Sequence, residues 1–80
     1  MNEAEIRKQV RDWIYGRAKD KPARLEDTTP ILEEGILSSL DVVELVLFLE
    51  NLRGAEVDVD ALQPESFRDV DSIWKTFFAG

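Results

Sequence analysis

Gly35-Ile36-Leu37-Ser38-Ser39-Leu40-Asp41-Val42-Val43-Glu44-Leu45-Val46-Leu47-Phe48-Leu49-Glu50 is where the chain changes pattern most sharply. A glycine and two apolar residues lead to a pair of serines, and an apolar run of helical period follows. Leu40, Val43 and Leu47 mark one stripe, extended toward Glu50. Val42, Leu45, Val46, Leu49 and Leu52 mark a second. Both fit the 3.6-residue period. Ser38 or Ser39 can cap the first turn, and Gly54 offers a stop. The spacing therefore predicts a helix beginning at 39 or 40 and ending at 53. It is apolar over more than half its circumference. Such a helix sits centrally in a bundle, or it presents one apolar strip to a partner.

The flanking sequence supplies the rest of a bundle. Ile6, Val10, Trp13 and Ile14 fall on one helical stripe within residues 3–15, with Asn2 as N-cap, Glu5 three residues on, and Gly16 as a stop. Residues 17–35 read mainly as loop. Arg17-Ala18-Lys19-Asp20-Lys21-Pro22 is charged and ends in proline, and Asp27-Thr28-Thr29-Pro30 is a polar turn whose Thr29 is biased out of the helical region. Ile31 with Leu32, and Ile36 with Leu37, are expected to pin this loop to the core on either side of a turn at Gly35. A loop of this length with anchors usually has a role beyond connection. In Glu56-Val57-Asp58-Val59-Asp60 the alternation turns Val57 and Val59 inward, but nothing else in the sequence reads as a strand to pair with it. Pro64-Glu65-Ser66-Phe67 begins a short helix, and Asp69 or Asp71 caps a last one over residues 71–78. Trp13, Phe67, Ile73, Trp74 and Phe77 are expected in the core, Tyr15 as packing, and Phe78 at partial exposure. The expected architecture is all-α: one domain over residues 1–80, with three main helices, one short helix and a long first connection.

Composition narrows the function classes. The 80 residues include no cysteine and no histidine, which excludes disulfides, the usual zinc sites, a thiol nucleophile and an imidazole base. A serine without a base of suitable pKa is a poor nucleophile, so the expectation is a protein that is not itself an enzyme. Seventeen acidic residues against ten basic ones leave a formal net charge of −7, which disfavours nucleic acid and suits a basic protein surface. The same acidity also serves solubility. Met1-Asn2-Glu3-Ala4-Glu5 is polar and acidic, unlike a secretory leader, and Val42 to Leu49 is too short for a bilayer span. A cytoplasmic protein without membrane insertion is expected.

The serine pair is the chemical feature that remains. It lies where a loop becomes a helix N-terminus, where unpaired N–H groups and the helix dipole favour a phosphate. Glu33, Glu34, Asp41 and Glu44 surround it and would repel a free phosphate ion, yet they suit docking to a basic enzyme surface. The simplest role for such a serine is an N-cap. With two adjacent serines, one can cap while the other carries a group.

The stretch from Leu32 to Glu50 resembles the attachment segment of acyl and peptidyl carrier proteins, in which a Gly-Ile/Leu-Leu turn precedes Asp-Ser-Leu and an apolar helix ending in Leu-Glu. Asp27-Thr28-Thr29-Pro30 is similar to the polar turn of that family's first loop. Pro64-Glu65-Ser66-Phe67-Arg68-Asp69-Val70-Asp71-Ser72-Ile73 is similar to its short third helix and the start of its fourth. Glu34-Gly35-Ile36-Leu37 and Pro64-Glu65-Ser66-Phe67 most resemble stand-alone carriers of amino acids, including D-alanyl carrier proteins, and similar elements also occur in carriers attached to peptide synthetases. The resemblance covers nearly the whole chain. It implies an acyl-carrier-like four-helix bundle and a 4'-phosphopantetheine arm, delivered from coenzyme A by a phosphopantetheinyl transferase and attached to Ser39. The arm's thiol would hold an acyl or aminoacyl group as a thioester. An adenylating enzyme would load it, and a downstream acyl or aminoacyl transferase would receive it. By the same match Leu40, Val43 and Leu47 face the partner or the arm, with Asp41 and Glu44 supplying charge. The chain departs from the family at Ser38, which stands where an aspartate is usual. That departure supports an alternative: an unmodified carrier-like domain that only binds other proteins.

Overall fold

Asn2 opens the first helix of the computed structural model, which describes residues 2–19, 21–57 and 63–79. Its side-chain oxygen accepts the Glu5 N–H at 2.9 Å and starts α1 (Glu3–Arg17). Val10 and Ile14 are buried on the predicted stripe, with Ile6 and Trp13 packed partly buried beside them. Gly16 does not stop this helix: it lies within α1 and lacks a positive φ. The reason is Ala18, which is buried and whose N–H still reaches the Ile14 carbonyl at 3.1 Å. A core contact thus carries the helix past the glycine. Tyr15, expected to pack, is instead 43% exposed. It follows Ile14 around the helix onto the outer face, where the Lys21 ammonium lies 5.2 Å from its ring centre.

The second helix, α2 (Ser39–Arg53), follows the predicted bounds. Leu45 and Leu49 are fully buried, and Val42, Val46, Phe48 and Leu52 pack against the same core. Gly54 ends α2 at φ +76°, donating its N–H to the Glu50 carbonyl. The Glu50 carboxylate then accepts the Val57 N–H at 3.0 Å, which brings Val57 into the core as expected. Val59 lies outside the described residues. A 3-10 turn at Pro64–Phe67 buries Phe67, and Asp69, of the two candidate caps, accepts the Ser72 N–H at 2.7 Å. That cap begins α3 (Val70–Phe77) one residue earlier than predicted. Ile73 and Phe77 are buried, while Trp74 stacks on Phe78 at 5.7 Å with both rings half-buried.

Two backbone ties hold the first connection. Ile31 is fully buried and donates its N–H to the Arg68 carbonyl at 2.9 Å, and its own carbonyl accepts from Ile36 and Leu37. Gly35, at φ +70°, makes the intervening turn. Farther out, the Asp71 N–H donates to the Asp27 carbonyl at 2.9 Å. Packing follows these ties: α1 lies against α3 and α2, and α3 against the 3-10 turn. All regular elements among the described residues are helical, forming a small bundle around Ile14, Ile31, Leu45, Leu49 and Ile73. No helix among them is long and apolar enough to cross a membrane.

Arg7 joins the outer parts of this bundle. Its guanidinium bonds Glu3 at 2.8 Å, Asp27 at 2.9 Å and Asp71 at 3.0 Å, and lies over the Trp74 ring. Arg11 adds a second contact to Asp27 at 2.5 Å. Burial opposes the Arg7 charge, but the bonds from Asp27, Asp71 and Glu3 more than offset it and raise its pKa. The Asp71 carboxyl is held below its ordinary value, first by Lys75 and then by Arg7. A depressed carboxyl stabilises the fold above its unfolded pKa, near about 3.9, and the contribution is lost as pH falls through the folded value. The thermal midpoint, followed by circular dichroism, is therefore expected to hold from pH 6 to 5 and fall below about pH 4. Asp71→Asn is expected to start lower and fall less steeply. A parallel fall in both proteins would remove Asp71 from the acid response.

Candidate functional site

Ser38 and Ser39 divide two roles between them. Ser38 is extended (φ −93°, ψ 172°) and is the N-cap of α2. Its hydroxyl accepts the Asp41 N–H at 3.3 Å and donates to Asp41 Oδ2 at 3.0 Å, while its own N–H donates to Oδ2 at 2.9 Å. This reciprocal capping box satisfies backbone donors that a helix start otherwise leaves open. It also holds the Asp41 carboxyl below its ordinary value, through the Ser38 N–H first and the Ser38 hydroxyl second, with Arg17 and Lys19 adding attraction through space. Ser39 is therefore spared the capping task. It is the first residue of α2 and is exposed.

Beside Ser39 lies an open groove of ≈ 360 Å³ between α2 and the Pro64–Phe67 turn. Val42, Val43 and Val46 form one wall, and Leu32, Pro64 and Phe67 line the rest, with Gln63 as a polar neighbour. Its size is at the lower end for small-molecule sites. Three segments far apart in sequence build it. The turn at Gly35 sets Leu32 close to α2, and the bond from Ile31 to Arg68 brings the 3-10 turn against the same end. Leu32, expected to pin the loop to the core, packs against it partly buried and also lines this groove.

The outer face of α2 carries an exposed apolar strip. Leu40 is 81% exposed, Val43 62% and Leu47 57%. The structure thus brings Ser39, Leu40, Val43 and Leu47 together on one continuous strip of helix. It treats the two charged candidates differently, because Asp41 is held in the capping box and Glu44 accepts from Arg17. The Arg17 guanidinium lies 5.0 Å from the Trp13 ring centre, and Trp13 stacks on Phe48 at 5.5 Å. Arg17 and the groove-lining role of Leu32 and Pro64 were not legible from local pattern. Each depends on a contact across more than twenty residues, and periodicity carries no such signal. No protein-family model matches the chain, and no curated protein matches it.

Proposed function

We propose that this chain is a carrier protein, folded as an acyl-carrier-like bundle, in which Ser39 takes a 4'-phosphopantetheine arm. One observation carries the reading. An exposed serine, freed from capping by its neighbour, stands at a helix N-terminus on the edge of an apolar groove. The residues fit such a group. The Ser39 oxygen would hold a phosphodiester where helix N–H groups and the dipole favour negative charge. Leu32, Val42, Val43, Val46, Pro64 and Phe67 offer apolar surface to whatever extends from it. When attached, the arm supplies the thiol that holds an acyl or aminoacyl group, a function for which the chain's own side chains offer no sulfur nucleophile. Attachment forms a bond from the Ser39 oxygen to phosphorus, displaces the nucleotide half of coenzyme A, and releases the hydroxyl proton.

The uncovered strip of Leu40, Val43 and Leu47 supports docking to successive enzymes: the transferase that adds the arm, the adenylating enzyme that loads it and the transferase that unloads it. The partner surface that fits best is apolar with a basic rim, given the chain's charge of −7. A second reading is favoured by Ser38. The negative charge usual at that position is absent from Ser38, and the nearby Asp41 carboxylate is engaged with Ser38. On that reading the domain binds proteins through the same strip and carries no arm.

The test is intact mass after incubation with coenzyme A, Mg²⁺ and phosphopantetheinyl transferases of broad and of narrow specificity. The expected result is one phosphopantetheine per chain, located by peptide mapping to Ser39. No addition by any of the transferases would overturn the carrier reading and leave the interaction domain.

A further inference from the structure

The charge beside the exposed strip is already spoken for. Glu44 lies one turn from Leu40 and three residues before Leu47, so it flanks the apolar residues that a partner would cover. Its carboxylate is held by Arg17, the last residue of α1, which comes from across the α1–α2 boundary. Arg17 is a half-exposed cation with a defined seat. Its guanidinium rests on the Trp13 ring, one turn back on α1, and Trp13 is braced by stacking on Phe48 of α2. A planar guanidinium suits both a ring face and a carboxylate. Arg17, together with Lys19, also acts on Asp41 at the head of the same helix.

We propose that Arg17 is a positioning residue that guards Glu44 and so weakens docking. It competes, from within the chain, with any basic group that a docking enzyme offers to this carboxylate. A partner with an arginine or lysine opposite Glu44 replaces Arg17, exchanging one ion pair for another. That exchange leaves little net binding energy, so a basic partner docks weakly and leaves readily. Docking without tight binding suits a protein that must leave one enzyme for the next. The inference rests on the carrier reading above and adds to it a residue outside the matched segment.

The experiment measures kcat/KM for arm addition by a transferase with a basic docking surface, in the parent, Arg17→Ala, Glu44→Gln and the double variant, at low and high salt. Lys8→Ala is the charge control, since Lys8 pairs with Asp12 on its own helix. Thermal midpoints check the fold of each variant. Arg17→Ala is expected to raise kcat/KM about 2- to 5-fold at low salt, the span of an exposed ion pair, and to lose the gain at high salt. On the Glu44→Gln background the gain should vanish, and Lys8→Ala should show none. No gain in a folded Arg17→Ala, or an equal gain with Glu44→Gln or from Lys8→Ala, would overturn the guard while leaving the carrier reading intact. A parent that accepts no arm would overturn the carrier reading and the guard with it.

Discussion

Ser39→Ala is expected to abolish arm addition outright and to leave the fold as stable as the parent. Alanine is a good helix former at the first helical position, and the helix start does not depend on the Ser39 hydroxyl. Ser38 caps α2, and its exchange of bonds with Asp41 survives the change. Ser38→Ala should behave in the opposite way. It removes the hydroxyl from the capping box, costs roughly 0.5–2 kcal/mol of stability, and still accepts the arm at Ser39. Intact mass and urea midpoints on the two variants separate the roles. Addition that persists in Ser39→Ala and disappears in Ser38→Ala would move the attachment site by one residue and overturn the division of labour between the serines.

That division shows where sequence reasoning reached its limit. The serine pair at a helix start was legible, as were Gly54 as the stop of α2 and Asn2 as the cap of α1, because each is a local pattern with a local cause. Which serine caps was not legible, since both stand before an apolar run. The answer comes from backbone angles: Ser38 is extended and Ser39 helical. Gly16 shows a local rule losing to a distant contact. A glycine after an apolar stripe reads as a stop, but burial of Ala18 carries the helix on. The exposed strip was half legible. Two stripes on α2 could be drawn, and helical period alone did not say which faces inward; only the family resemblance turned Leu40, Val43 and Leu47 outward. The first connection decides it, by laying Ile31, Ile36 and Leu37 in the core with Leu45 and Leu49. Arg17 was hidden for a similar reason. It reads as the first of a charged loop, whereas it closes α1 and reaches Glu44.

The choice of face leads to the second large effect, a contrast between two leucines two positions apart. At 3.6 residues per turn, Leu45 and Leu47 lie about 200° apart around α2. Leu45 is fully buried, and Leu47 is 57% exposed. Leu45→Ala removes buried methyl groups and leaves a cavity, at a cost of about 2–5 kcal/mol. A domain of 80 residues has a total stability of about 4–12 kcal/mol, so this single change takes a large share of it. Loss of a cooperative thermal transition near room temperature is within its reach. Leu47→Ala should shift stability by no more than about 0.5 kcal/mol, because the side chain is already largely in water. Its effect should fall on docking, as a several-fold lower kcat/KM for arm addition with an unchanged urea midpoint. Equal destabilisation by the two substitutions would mean that Leu47 is packed and that the strip is not a docking face. A neutral Leu47→Ala in both assays would keep the fold but remove this leucine from partner recognition, leaving Leu40 and Val43 as the residues to test.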